Sequence, residues 1–150
     1  RLSLKQNDMQ SALLHSHSGL RWILLILLVA TIFSTFGKRD GKVPFTAQDK
    51  KLSLFTLIAT HLQAVLGLGL YFMSTKVDFS STTMSSPVHR FFTMEHTLMM
   101  LIAIILITVG YGHAKKANAK KVFTYYLIAL IVILIAIPWP FRTALSAGWM

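Results

Sequence analysis

Four long apolar stretches, roughly 13–36, 52–73, 91–112 and 122–141, constrain this chain more than any other feature. Each is close to the ~20 residues an α-helix needs to cross ~30 Å of hydrocarbon. The alternation and ~10-residue segments of a transmembrane barrel are missing, and the run 22–30 is aliphatic on every side. The expected fold is therefore an all-α membrane protein, a single four-helix transmembrane bundle running up-down-up-down, with no repeat and no second domain. Composition agrees: 13% of residues are charged, about half the share of a soluble domain. The chain has no cysteine, which excludes disulfides, thiolate metal sites, covalent c-type haem and a cysteine nucleophile.

The connectors fit these spans. Gly37 and Gly41 flank the end of the first helix, Thr46 with Asp49 reads as the capped start of the second, and a Ser/Thr-rich turn leads to Pro87 before the third. Pro138 and Pro140 stop the fourth. Nine of the fifteen Lys and Arg lie in two connectors: Lys38, Arg39, Lys42, Lys50 and Lys51 in one, Lys115, Lys116, Lys120 and Lys121 in the other. That bias places these connectors in the cytoplasm and both termini outside. The net charge of +10 is then a topology signal with contact to anionic lipid of the bilayer. No nucleic-acid partner is expected, because no basic stripe with interleaved aromatics lies outside the spans. Residues 1–8 are polar and unlike the rest of the chain, Met9 begins a stretch that leads straight into the first span, and that span reads as a retained helix rather than a signal peptide.

Ionisable side chains in hydrocarbon are costly enough to mark function when they face the bundle. Five qualify: His17, Arg21, His61, Glu95 and His96. At 100° per residue, His17, Arg21, Leu24, Leu28, Thr31 and Thr35 form one stripe of the first helix, and His96, Met99, Met100, Ala103, Ile107 and Gly110 one stripe of the third. Counting up from the basic boundary at 1.5 Å per residue places His17 and His96 about 28–31 Å up, and His61 only about 15 Å up. Gly67 and Gly69 on the second helix fall about 24–27 Å up, where a flat ligand between His17 and His96 would need room. Close helix packing through small residues explains the same glycines equally well.

Two imidazoles on facing helices are a means of holding b-type haem without a covalent link, and filling both axial positions favours electron transfer over oxygen chemistry. His17 and His96 are the expected iron ligands, with His61 in reserve. Pairing His61 with His96 would need the second helix raised by about two turns. Arg21, one turn from His17, is the expected partner of a haem propionate, and Arg90 the second candidate. Each residue also has a plainer explanation. Arg21 beside Trp22 suits the membrane interface, Glu95 suits a partner for Arg21 or an acceptor orienting a histidine, and His61 suits a hydrogen bond to a neighbouring helix. His15, His89 and His113 read as solvated or interfacial. Glu95 is the one Glu in the chain, and there is no Ser–His–carboxylate set and no Gly-rich phosphate loop. Hydrolases, kinases and nucleotide-dependent oxidoreductases are thereby excluded.

The segments around His15, His17, Arg21 and Trp22, the Thr60–Gln63 stretch, Glu95-His96 with Met99-Met100, and the Pro138–Arg142 stretch together resemble a group of small four-helix inner-membrane proteins of Bacteroidetes-type bacteria labelled cytochrome b-like. The resemblance runs from Met9 to Arg142. It implies the bacterial cytoplasmic (inner) membrane, which makes both termini periplasmic, and it implies haem. The expected function is electron transport: a haem b protein passing electrons between a quinol or partner redox subunit and another acceptor. It would be a small subunit of a larger membrane complex rather than a stand-alone enzyme. Two other expectations stand beside it: a cofactor-free accessory subunit packing against a larger assembly, and a proton path through His17, Arg21, Glu95, His96 and His61.

Overall fold

The computed structural model describes residues 2–145 and 147, and among these the fold is helical throughout. Helix α1 spans Leu2–Phe36, α2 Ala47–Met73, α3 Pro87–Ala114 and α4 Ala119–Ala136, followed by a short 3-10 turn at Thr143–Leu145. All four helices are long and apolar enough to cross a membrane, the signature of a multi-pass membrane protein. The ends differ from expectation at two places. Helix α1 begins at Leu2 rather than near residue 13; nothing in its polar first turns breaks a helix. Its 35 residues extend about 52 Å, well past a hydrocarbon core. Helix α4 stops at Ala136 rather than 141, because Ile137 precedes Pro138 and takes the extended conformation (ψ 130°) that a following proline imposes.

Local chemistry sets the other ends. Thr46 and Asp49 form a reciprocal capping box at the start of α2, satisfying two otherwise unpaired amides. Ser86 caps α3 with Pro87 at its first position, and Asn118 caps α4. The α3–α4 hairpin closes with a hydrogen bond from the Asn118 amide to the His113 carbonyl (3.1 Å), the six-residue closure usually made with Gly at the residue before. Ala117 occupies that place here, at φ 53°.

Around the bundle the order is α1, α2, α3, α4, with α4 packed back on α1. Helices α1 and α3 are therefore diagonal, as are α2 and α4. The α3–α4 contact is a seam of Ala103, Ile107, Gly110 and Ala114 against Val122, Tyr126, Ala129 and Ile133, small residues letting the backbones approach. The α1–α2 contact is polar. Thr31, Thr35, Ser53, Thr56 and Thr60 are buried; Thr35, Ser53 and Thr60 donate to the carbonyl four residues earlier, and of Thr31 and Thr56, which meet at 2.9 Å, one donates to the other and the second to its own carbonyl four residues back. Back-bonding satisfies these hydroxyls without breaking the helix. At the basic end this seam is locked by Asp49, 2% exposed, which accepts from Lys38 Nζ (2.5 Å), Ser34 Oγ and the Thr46 amide (2.6 Å).

Two contacts reach across the diagonals. Near the basic end the fully buried Tyr126 hydroxyl of α4 donates to the Ser53 carbonyl of α2 (3.0 Å). At the opposite end the side chains of His17 and His96 meet.

Candidate functional site

The inward stripe of α1 lies where the periodicity places it: Leu24 and Leu28 and Thr31 and Thr35 below them are buried, with His17 and Arg21 half-buried above. On α3 the buried Ala103, Ile107 and Gly110 continue upward in phase to His96. Both histidines thus point toward the bundle axis from diagonal helices, and their ring centroids are 6.4 Å apart with planes at 71°. Two bonds of about 2 Å from opposed imidazole nitrogens to one metal, with the two ring half-widths, separate centroids by about 6 Å. A dihedral of 71° is compatible with this, since each ring turns freely about its own metal bond.

His96 is oriented from its far side. Its Nδ1 pairs with the Ala136 carbonyl at the C-terminus of α4 (2.8 Å). A carbonyl only accepts, so the proton is on Nδ1 and Nε2 carries the lone pair. The turn before His96 is π-helical, over Phe91–Glu95, with the His96 amide bonded to the Phe91 carbonyl. Residues five apart are stacked in such a turn, which sets Phe91 directly over His96 (5.8 Å between centroids). An uninterrupted α-helix would have carried Phe91 away from this face. The Arg142 guanidinium lies on Phe91, 4.7 Å from the ring centroid.

His17 is held by α2. Gln63, 8% exposed, donates from Nε2 to the His17 carbonyl at 2.7 Å. One turn on, Gly67 faces the imidazole: a Cβ there would sit 3.0 Å from His17 Cε1 and 3.6 Å from Nδ1. His17 Nδ1 is itself buried and without a hydrogen-bond partner. Gly69 faces Leu13 instead.

Other expected residues fall elsewhere. His61 is exposed on the outward surface and bonds Thr108 of α3 (3.3 Å). Thr108 is twelve residues along from His96, about 18 Å down the helix, so His61 does not join the pair and the His61–His96 alternative finds no support. The Arg21 guanidinium lies 5.2 Å from the Trp22 ring, and Trp22 meets Trp139 edge-on at 6.3 Å. Glu95 pairs with Arg90 (2.9 Å) rather than with Arg21 or a histidine. His89 bonds the Lys76 carbonyl, and His113 stacks on Tyr125. Gln63, Phe91, Arg142 and the Ala136 carbonyl were not singled out as site groups from the sequence. Gln63 carried a usable signal, since it continues the α2 polar spacing of Thr56 and Thr60 and sits one turn below Gly67.

Among the described residues no three His, Cys, Asp or Glu converge as a metal cluster. The arrangement offers two imidazoles and a glycine cradle, a donor set suited to a metal that brings its own equatorial ligands. Haem b meets that description, and Gly67 is the small residue that lets the His17 ring lie against α2. A cleft of about 400 Å³ lies at the other end of the bundle, lined by Lys38, Arg39, Lys116 and Lys120 of the two basic connectors. Comparison of the chain with protein-family models, curated proteins and solved structures returned no match.

Proposed function

We propose that this chain is a membrane electron carrier holding haem b between His17 and His96. The observation that carries the reading is the 6.4 Å separation of the two rings across the bundle diagonal. His17 and His96 would hold haem, which when bound would supply a one-electron couple, and two imidazole ligands would favour electron transfer over oxygen chemistry. The chain's own residues do the rest. The Ala136 carbonyl keeps the His96 proton on Nδ1 and leaves the lone pair on Nε2. Gly67, having no Cβ, lets the His17 ring pack directly against α2. Arg21 and Arg142, at the same end of the bundle, supply positive charge for propionates.

The basic connectors are cytoplasmic in this reading and both termini periplasmic, by the charge bias, in a bacterial inner membrane. The carrier takes electrons from a quinol or a redox subunit, as the resemblance to cytochrome b-like four-helix proteins implies. Membership of a larger membrane assembly is supported by the outward-facing His61–Thr108 pair, polar groups that hydrocarbon covers at a cost and a protein partner covers readily. That pair also suits a second reading, an accessory subunit without a cofactor.

The test is a reduced-minus-oxidised visible spectrum of detergent-purified protein produced with haem supplied. A b-type α band is expected, lost in His17→Ala and in His96→Ala and kept in His61→Ala. A featureless spectrum from folded wild-type protein would remove the electron-carrier reading and leave the accessory subunit.

A further inference from the structure

Two buried polar atoms in this bundle share one locality and are complementary. His17 Nδ1 and Gln63 Oε1 both lack a hydrogen-bond partner, and their residues are already joined through Gln63 Nε2 and the His17 carbonyl. Because a carbonyl only accepts, that bond fixes which end of the Gln63 amide is the NH₂, so the orphan Oε1 is an acceptor needing a donor. His17 Nδ1 lies against Gly67, and Gly67 is one helical turn from Gln63 on the same face of α2. The two orphans thus sit beside neighbouring turns of one α2 face, with no direct hydrogen bond between them. Burying either atom without a partner is costly.

We propose that Gln63 is the positioning residue for His17: its NH₂ clamps the His17 backbone, and its Oε1 accepts, through one water, the hydrogen bond of a proton held on His17 Nδ1. His17 then matches His96, whose Nδ1 is satisfied by the Ala136 carbonyl, and each ring keeps its lone pair on Nε2. Two helices outside the ligand-bearing pair, α2 and α4, thus set the tautomers of the ligands on α1 and α3. The ligation consequence rests on the haem reading; the tautomer assignment does not.

Two measurements separate them. Protein labelled with ¹⁵N-histidine, with His17 assigned from His17→Ala, is examined without haem by long-range ¹H–¹⁵N correlation in detergent. Wild type is expected to carry the His17 proton on Nδ1. The isosteric Gln63→Met should move it predominantly to Nε2, and Gln63→Glu should retain it on Nδ1. Equal tautomer populations in all three proteins, each helical by circular dichroism, would overturn the proposal even if haem binds normally. In haem-loaded protein, Gln63→Met should hold haem about 10-fold more weakly. Gln63→Glu, a stronger acceptor, should lower the midpoint potential. A wild type that binds no haem but shows the Gln63-dependent tautomer removes the electron-carrier reading and leaves this inference standing.

Discussion

Replacing Gly110 by Ala should destabilise the bundle although Ala is the better helix former. A Cβ at residue 110 would lie 2.6 Å and 2.7 Å from Cε1 and Cδ1 of Tyr126, and 3.1 Å from Tyr125 Cβ, where ordinary contact begins at 3.4 Å. The Tyr126 ring would have to retreat by about 0.8 Å to reach that distance. It has no free space, being fully buried, and its hydroxyl is tied to the Ser53 carbonyl across the bundle. Overpacking of this kind costs about 1–3 kcal/mol, and a strained or lost hydrogen bond adds about 1 kcal/mol. The expected loss is about 2–4 kcal/mol of unfolding free energy, read by reversible denaturation with SDS in mixed micelles. In a Tyr126→Ala background the ring atoms are gone and only the 3.1 Å approach to Tyr125 Cβ remains, so the cost of Gly110→Ala should shrink, offset by the helix preference of Ala of up to ~1 kcal/mol. A Gly110→Ala cost that is the same in both backgrounds would refute the steric account.

Asp49→Asn strips the charge from a carboxylate that is 2% exposed and bonded to Lys38, Ser34 and Thr46; the same SDS titration should show a loss of about 3 kcal/mol, little affected by salt. Gly67→Ala asks the His17 ring to give by about 0.4 Å from a 3.0 Å contact and should shift the α band while keeping it, whereas Gly67→Leu should abolish haem retention. In the connector before α3, Asp78 accepts from the Ser80 hydroxyl and amide, and these bonds hold its carboxyl below the usual carboxylate value. A depressed folded-state value means the loop gains stability above the unperturbed pKa near 4 and loses it as pH falls below that, through the lower folded value. Loop amide protection, the exchange rate corrected for the intrinsic rate at each pH, should therefore be steady from about pH 7 to about pH 5 and decline below about pH 4, and Asp78→Asn should remove that step.

Much of the fold was legible in the residues because its rules are local. Span length against hydrocarbon thickness gives the helix count, and Thr46 with Asp49 and Pro87 mark the second and third starts, while the Asn118 cap of α4 emerged from the structure. A common basic boundary let His17 and His96 be placed at one height by counting residues. The periodicity also gave the inward faces of α1 and α3, since one buried stripe is all a surface helix of a four-helix bundle can hide. The α1 start and the α4 end were misplaced for local reasons as well: hydropathy does not register a polar helical extension, and aromatic residues after Pro138 look apolar without being helical.

What needed the tertiary structure was every pairing that depends on a partner's rotation. The acceptor for His96 is a backbone carbonyl at Ala136, and a carbonyl has no letter in a sequence. The π turn over Phe91–Glu95 re-aims one helix end, so residue spacing alone sends Phe91 to the wrong side. Glu95 had Arg21 and Arg90 within plausible reach, and only the packing chose Arg90. The amino acids determine that four apolar helices form and how high each polar group sits; the order of the helices around the axis decides that α1 and α3 are diagonal, and hence that His17 and His96 confront each other rather than lipid.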